Sequence, residues 1–313
     1  MSKLLVVNQG DSTMSIVDPE TCEQVAKIPQ TEICGHEVIA SPDGKLAYVP
    51  IYSNVGVGDP GTNGRIIEII DLQKRQRVDI MDLGRPVRPH CALFGQDGLL
   101  YVTAELDNSV DIIDPHHRKI TGALPTGKTQ SHMMVMSHDG KRSYTSNIES
   151  GTVTAIDLGS RRQVAVIPVC RMIQRISISA DDRFVFTSDQ YHPRVAVIDT
   201  RTNEVVRWIE MPGVGYGTTP TPDGSWLLVT LRDTAQVGVI DLSPASGSAM
   251  HMAGTFDVAS KPMEILVRPD GEVAYVSCMT AGSVAEVDLK TMRTTRIFPT
   301  GPGADGLAWA AGA

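Results

Sequence analysis

Short runs of apolar and β-branched residues, separated by polar turns, recur along the whole chain. Six of these runs directly follow a similar turn and read LAYVP, LLYVT, RSYTS, FVFTS, WLLVT and VAYVS. A polar loop and a second run ending in aspartate come next, as in SVDIID and RVAVID. Almost no segment spaces its apolar residues as a helix would. The pattern therefore predicts an all-β protein built from short strands.

The turn before each of the six runs is a repeated word, in the forms SPDG, GQDG, SHDG, SADD, TPDG and RPDG. The words end at residues 44, 98, 140, 182, 224 and 271. Asp-Gly pairs favour tight turns because both residues tolerate a positive φ. The commonest spacing, about 42 residues, is the length of a four-stranded propeller blade.

The two ends of the chain each carry part of one further blade. Residues 4–29 contain a second, third and fourth strand, and residues 305–310 supply the missing first strand. Joining them leaves no open sheet edge. We therefore predict a single seven-bladed β-propeller domain over residues 1–313. Its expected blades are residues 3–29 with 304–313, then 35–83, 89–125, 131–168, 173–210, 215–257 and 262–298.

These motifs resemble those of the YVTN-repeat β-propeller family, whose blades read roughly P-H-G-V-A-V-S-P-D-G, Y-V-T-N and T-V-S-V-I-D. The likeness covers nearly the whole chain and includes Pro89-His90, the turn words, Tyr101-Val102-Thr103 and Ser109–Asp114. It implies the propeller fold. It does not imply one function, because relatives look like lactonases, surface-layer proteins, cofactor-handling proteins and streptogramin-lyase-like enzymes.

The first strand of each blade is expected to line the central channel. The residue five positions before the first letter of each turn word gives one residue in each of six blades. The residue one period of about 42 after the last of these gives the seventh. These ring residues are His36, His90, His132, Gln174, Tyr216, Met263 and Asp305. Three consecutive histidines on one arc predict a directional pocket at one mouth of the channel. Cys91 follows His90, and alternation along a strand predicts that it faces away from the ring.

The three histidines are candidate catalytic residues and candidate metal ligands. Imidazole nitrogens bind Zn, Cu, Fe or Ni, and three protein ligands leave one position open for catalysis. Glu105 and Glu149, in loops at the same mouth, are candidate ligands or general bases. The same histidines could instead perform acid–base catalysis without a metal. A third interpretation is structural, in which they hydrogen-bond to a neighbouring strand or to channel water.

Side chains around the histidines are predicted to bind the substrate. The candidates are Gln174, Arg175, Tyr216, Met263, Asp305, Arg232, Tyr52, Tyr191 and His192. Basic residues in the connections at this mouth would attract an anion and orient its carboxylate or phosphate. The longest connection, Tyr52–Arg65, is rich in Gly, Asn and Pro and is expected to act as a flap.

Composition narrows the range of partners. The chain has 28 Lys and Arg against 36 Asp and Glu, a net charge of −8, which argues against nucleic-acid binding. Five cysteines without a CxxC pair favour a reducing compartment, and no apolar run reaches the length of a signal peptide or a membrane span. We expect a cytoplasmic protein, although a removed leader would leave the same sequence. No phosphate-binding glycine motif is present, so no nucleotide cofactor is expected.

These observations predict an enzyme that acts on a small, anionic molecule at the channel mouth. Lactone or ester hydrolysis, lyase chemistry and isomerase chemistry all suit the histidine arc, with or without a divalent metal. The alternative is a non-catalytic propeller that binds a ligand or a partner protein on its annular face. The oligomeric state stays open at this point.

Overall fold

A computed structural model describes residues 1–31, 33–243 and 250–312 of the chain. Within them the chain forms seven antiparallel sheets, six of four strands and one of five. Two short 3₁₀ helices, Gln9–Asp11 and Glu105–Asp107, interrupt the β-structure. No helix in these ranges is long and apolar enough to span a bilayer.

The strands follow one another along the chain with short connections. The first eight are β1 (Lys3–Asn8), β2 (Thr13–Asp18), β3 (Glu23–Pro29), β4 (Cys34–Gly35), β5 (Ile39–Ala40), β6 (Leu46–Ser53), β7 (Asn63–Asp71) and β8 (Gln76–Asp82). The next eight are β9 (Pro89–Phe94), β10 (Leu100–Ala104), β11 (Ser109–Asp114), β12 (Lys119–Pro125), β13 (Ser131–Met136), β14 (Arg142–Asn147), β15 (Thr152–Asp157) and β16 (Arg162–Pro168). The following eight are β17 (Ile173–Ile178), β18 (Phe184–Asp189), β19 (Arg194–Asp199), β20 (Glu204–Glu210), β21 (Gly215–Pro220), β22 (Trp226–Leu231), β23 (Gln236–Asp241) and β24 (His251–Asp257). The last five are β25 (Pro262–Val267), β26 (Val273–Cys278), β27 (Ser283–Asp288), β28 (Arg293–Pro299) and β29 (Ala304–Ala310).

The two ends of the chain close one blade together. Its strand order is β29-β1-β2-β3, and Leu5 of β1 pairs with Ala308 of β29. Blade 1 denotes this sheet, and blades 2 to 7 follow along the chain. The predicted all-β, seven-bladed fold with a shared blade is confirmed.

Neighbouring blades bury the faces of each other's inner strands. In β1, five of the six residues are buried, whereas the outermost strand β3 is largely exposed. Inner strands covered on both faces read as nearly continuous apolar runs. This explains why runs such as LAYVP and WLLVT dominate the sequence.

The turn words adopt the backbone conformation that their sequence requires. Gly44, Gly98 and Gly140 have φ of 67°, 75° and 70°. The word SADD lacks a final glycine, and Asp182 takes its place with φ of 59°. Aspartate tolerates this left-handed conformation better than most residues.

A β-bulge interrupts the innermost strand of six blades at the ring position. In blade 3, Ala104 pairs with Pro89 and Val102 pairs with Ala92, so His90 and Cys91 together oppose Thr103. Comparable register shifts occur in blades 1 and 4 to 7, whereas in blade 2 the innermost strand is broken into β4 and β5 and His36 lies between them. A bulge places two consecutive residues opposite one and redirects their side chains.

A threonine hydroxyl connects this bulge to the next blade. Thr103 Oγ1 accepts the Cys91 N–H at 2.9 Å and donates to the carbonyl oxygen of His132 at 2.9 Å. Thr230 makes the equivalent pair of bonds with Gly217 and Met263 in blades 6 and 7. The hydroxyls thus fix the relative positions of adjacent ring residues.

Replacing Thr103 with valine is expected to lower the free energy of unfolding by about 2 kcal/mol, because two buried backbone groups lose their partner. Chemical denaturation monitored by fluorescence measures the change. The control is Thr202→Val at an exposed turn position. An equal effect at both positions would show that the hydroxyl bridge does not stabilise the ring.

Candidate functional site

Six of the seven ring residues lie in the bulges of the innermost strands, and His36 lies in the break between β4 and β5. Six of the seven are nearly inaccessible, with exposures of 2–8%, and Tyr216 is half-buried. The three histidines lie on the adjacent blades 2, 3 and 4. They form the predicted arc on one side of the channel.

The histidine rings form an aromatic cluster with Tyr52. The centroids of His90 and His132 lie 3.5 Å apart, and those of His36 and His90 lie 5.4 Å apart. The Tyr52 ring lies 4.6 Å from His36 and 5.1 Å from His90. Tyr52 belongs to β6, so the strand next to the innermost one completes the cluster.

Glu105 is the hydrogen-bond acceptor at the centre of this cluster. The Tyr52 hydroxyl lies 2.9 and 3.0 Å from its two carboxylate oxygens, and His132 Nδ1 lies 2.9 Å from Oε2. Arg88 Nη1 approaches Oε1 to 3.9 Å. A carboxylate only accepts hydrogen bonds, so Nδ1 of His132 is the donor, and in the neutral imidazole the lone pair is on Nε2.

The other two histidines are held in the neutral form. Burial, helped by the proximity of His132, lowers the pKa of His36 to about 3. Burial and the same neighbour lower the pKa of His90 well below its ordinary value. His90 Nδ1 is buried and has no hydrogen-bond partner within the described residues.

The predicted metal site is not preformed. Within the described ranges, no three or more His, Cys, Asp or Glu side chains are arranged to hold a metal ion. Imidazole lone pairs lie in the ring plane, whereas His90 and His132 are stacked with an interplanar angle of 32°. A shared metal would therefore require one of these rings to turn.

The structure separates the two predicted carboxylates. Glu105 is 1% exposed at the start of a 3₁₀ helix and contacts the cluster, whereas Glu149 lies exposed in the turn after β14. The prediction that both could serve the histidines therefore fails for Glu149. In the loop after β10, Glu105 itself is the buried residue. In the loop after β14, Ile148 is buried and Glu149 faces solvent.

The predicted substrate-binding residues of the rim occupy a separate arc. Arg232 lies over the Tyr216 ring at 4.4 Å, and Arg171 lies over the exposed Tyr191 at 4.3 Å. His192 is also exposed and contacts Asp189. Tyr191 and His192 thus lie outside the buried histidine cluster, whereas Arg232 and Tyr216 form a wall beside the ring.

Arg175 lies inside the channel and not on its rim. Its guanidinium contacts three carboxylates, with Nη2 2.5 Å from Glu37 and 3.3 Å from Asp305, and Nη1 3.4 Å from Glu264. Gln9 also hydrogen-bonds to Asp305. The predicted role of Arg175 and Asp305 in binding an anionic substrate is therefore wrong for this conformation, because both charges are already paired.

Glu37 and Glu264 were missed by the sequence reasoning, since each directly follows a ring residue. Strict alternation would turn them away from the channel. Glu264 enters it because it lies in the bulge of blade 7, and Glu37 because it lies in the break between β4 and β5. Cys91 lies at the cavity below the ring, and its thiol contacts the carbonyl oxygen of Met134 in the next blade at 3.6 Å. The residues that directly follow the ring residues include Glu37, Arg175 and Glu264. Comparing this position across the seven blades could have revealed the cluster.

Two arginines of the connections at the mouth already have hydrogen-bond partners. Arg85 pairs with Asp107 and Asp111, while Arg88 donates to Asn63 and to the carbonyl oxygen of Asp59. Asn63 and Asp59 belong to the Ser53–Asn63 connection, here called the flap. Gly58 of the flap lies near the side chain of Gln130 at the start of blade 4, so the flap extends from blade 2 toward blade 4 at this mouth.

The fold and this mouth define the chain as a seven-bladed β-propeller with a histidine-lined channel. A family model described as the cytochrome D1 haem domain matches residues 94–223, which is less than half of the chain. The seven-bladed β-propeller protein Rv1057 of Mycobacterium tuberculosis is 22% identical over 236 residues, covering 64% of this chain and 60% of its own length.

Solved structures with low sequence identity share the fold. The periplasmic gluconolactonase PpgL of Pseudomonas aeruginosa matches with a TM-score of 0.77, 16% identity and 99% coverage of both chains. The dihydro-haem d1 dehydrogenase NirN, solved in complex with DHE, matches with a TM-score of 0.69 and 15% identity. The match covers 97% of this chain and 74% of NirN. These similarities are consistent with the lactonase-like propellers that the repeats resemble.

A haem-type group does not fit the mouth as it is packed. An axial ligand needs an open imidazole edge, but the three histidines are only 2–8% exposed. Tyr52 packs beside them, with its ring centroid 5.1 Å from that of His90.

Proposed function

We propose that the mouth cluster catalyses hydrolysis of a small lactone or ester, with His132 as the general base. The observation that carries the proposal is the buried Tyr52–Glu105–His132 hydrogen-bond network. It orients one imidazole and fixes its tautomer, as an acidic partner does in many acid–base sites. The hydroxyl of Tyr52 donates to the same carboxylate and limits its movement.

In the proposed reaction, His132 Nε2 takes a proton from water as the water oxygen attacks the carbonyl carbon of the substrate. The carbonyl oxygen gains negative charge, and an N–H of neutral His36 or His90 donates to it. The ring C–O bond then breaks, and protonated His132 returns the proton to the leaving alkoxide. The products are a hydroxyl group and a carboxylic acid, and the acid then loses its proton to solvent and becomes a carboxylate.

The polar rim provides a place for the carboxylate of the product. Arg232 is half-buried and stacks on Tyr216, with no ion pair to another side chain in the described residues. A guanidinium held in this way binds a carboxylate through two parallel hydrogen bonds. Arg232 beside Tyr216, and not Arg175, would therefore bind an anionic ligand. The gluconolactonase name of a structural relative also supports a cyclic ester as substrate.

Entry of a substrate requires movement of the flap, because the imidazole edges are covered in this structure. The flap is held by Arg88 through Asn63 and the carbonyl oxygen of Asp59. Loops that close over a site exclude water that would compete for the same hydrogen bonds. Arg88 also approaches Glu105 and thus connects the flap to the cluster.

The test is an assay of the purified chain against a panel of five- and six-membered lactones and short-chain esters. Each substrate is measured with a strong chelator and again after addition of Zn²⁺, Cu²⁺, Fe²⁺ or Ni²⁺. We expect turnover that survives chelation. Binding of lactones or their acids without turnover would replace this proposal by the ligand-carrier alternative.

A metal held by the three histidines is the second candidate function, and the neutral imidazoles with the unpartnered His90 Nδ1 favour it. Its ligands would be His36, His90 and His132, and the ion would polarise the carbonyl. We would then expect about one equivalent of metal by elemental analysis, lost in His90→Ala, and activity that requires the metal. Full activity with less than one-tenth equivalent of metal would contradict it.

A further inference from the structure

A cavity of about 510 Å³ occupies the channel below the ring. Apolar side chains of the innermost strands form most of its wall, among them Met134, Ile178 and Val267. The cavity extends to His138 and Pro269 in the turn words, on the face opposite the mouth. Its volume falls in the range of small-molecule sites. It is therefore separate from the histidine cluster and can be reached from the other end of the channel.

The inner end of this cavity is charged. Glu37, Arg175 and Glu264 line it, and Asp305 lies behind them. One guanidinium faces three carboxylates, so the fully ionised cluster carries two uncompensated negative charges. Burial raises the pKa of all three acids, neighbouring carboxylates raise the pKa of Glu37 and Glu264 further, and Arg175 opposes these rises. A cationic group beside the acids would favour their ionised form and displace any proton they hold.

An unpartnered donor points into the same end. Arg175 is 5% exposed and lines the cavity, and its Nε–H has no hydrogen-bond partner within the described residues. Buried polar groups without partners cost free energy, so this donor favours a ligand atom that accepts a hydrogen bond. The excess negative charge next to it favours a cationic group.

We propose that this cavity binds an apolar amino alcohol or a closely related amine, with its ammonium at Glu37 and Glu264. The three N–H donors of an ammonium can reach both carboxylates, and a neighbouring hydroxyl oxygen can accept the Arg175 Nε–H. The hydrocarbon chain extends along the apolar wall, where burial contributes about 25 cal/mol per Å². A carboxylate ligand would meet the surplus negative charge and is excluded. The site is independent of the proposed hydrolysis at the mouth.

The test is isothermal titration calorimetry of the whole protein at pH 7 with 2-aminohexan-1-ol, hexylamine, hexan-1-ol and hexanoate. We expect one site for the amino alcohol, several-fold weaker binding of hexylamine, at least tenfold weaker binding of hexanol and none of hexanoate. Measurements in two buffers of different ionisation enthalpy should reveal protons released by the carboxyl groups. Equal binding of the amino alcohol and hexanol would overturn the proposal.

Variants assign the binding to the cavity. Glu264→Gln is expected to weaken binding of the amino alcohol at least tenfold and to reduce the proton release. Glu149→Gln, at the exposed turn, should change neither the affinity nor the proton release. Met136→Trp narrows the cavity wall without altering charge and should also weaken binding, so the proposal remains testable if Glu264→Gln does not fold. Binding that is unchanged in Met136→Trp and in any folded Glu264→Gln protein would overturn it.

Discussion

Replacing Arg175 with methionine is expected to lower the free energy of unfolding at pH 7 by about 3–5 kcal/mol, because it leaves buried charges without their partner. The side chain is 5% exposed and its guanidinium contacts Glu37, Glu264 and Asp305. Methionine has a similar volume, so packing is largely preserved. Urea denaturation at pH 7 measures the loss.

The destabilisation should depend on pH in a defined direction. Burial raises the pKa of the three carboxyl groups above their ordinary values of 3.8 and 4.5, and Arg175 opposes this rise. Without Arg175 their pKa values rise further, so the folded variant binds more protons than the unfolded chain. Stability then falls as the pH rises above about 4. The gap between wild type and variant should be smallest near pH 4 and widen toward pH 7.

The control for this prediction is Arg65→Met. Arg65 also pairs with a carboxylate, at 2.8 Å from Asp82, but the two side chains are 48% and 54% exposed. Exposed ion pairs contribute about 0–1 kcal/mol, so this change should have little effect. A loss below 1 kcal/mol for Arg175→Met, or a gap that does not change with pH, would contradict the buried cluster.

The fold could be predicted from the sequence because its information is local and repeated. Each turn word fixes a hairpin, and even SADD folds in the same way because Asp182 tolerates a positive φ. The equal spacing then positions the ring, so His36, His90 and His132 could be brought together without knowledge of any distance. Because the blades repeat, equivalent positions in the sequence indicate which residues meet in the channel. The sequence of a single blade would not give this information.

The details of the site depend on departures from the regular pattern. Alternation predicts that Glu37 and Glu264 face away from the channel, but a bulge redirects Glu264 and the break between β4 and β5 redirects Glu37. Sequence letters do not show whether a strand is bulged at a given residue. For the same reason, the sequence predicts a basic rim at the mouth but gives no sign of the acidic excess around Arg175 inside the channel.

The choice between Glu105 and Glu149 illustrates a second limit. Both follow a second strand by one or two residues, so their positions in the sequence pattern are similar. In the structure, a 3₁₀ helix directs Glu105 toward Tyr52 and His132, whereas Glu149 lies on the surface. The difference arises in loops of only a few residues, where no repeat constrains the backbone.

Replacing Glu105 with glutamine is expected to reduce kcat for the substrate identified by the lactone panel by about 10²- to 10⁴-fold. Glutamine has the same shape but can donate from its amide to His132 Nδ1. This bond stabilises the tautomer that carries the proton on Nε2, so the general base is lost. Glu105 is thus a positioning residue that acts through His132. Because it does not contact the substrate in the proposed reaction, KM should change little.

The matched control is Glu149→Gln, which makes the same chemical change at the other predicted carboxylate and should leave kcat and KM unaltered. A ¹⁵N spectrum of the histidine side chains distinguishes positioning from a general loss of structure, since only the His132 tautomer should change in Glu105→Gln. Full kcat in a folded Glu105→Gln protein would show that the Tyr52–Glu105–His132 network does not act in the reaction. A fall in kcat with the tautomer unchanged would instead make Glu105 itself the group that exchanges protons with the substrate, because its effect would then not pass through the imidazole.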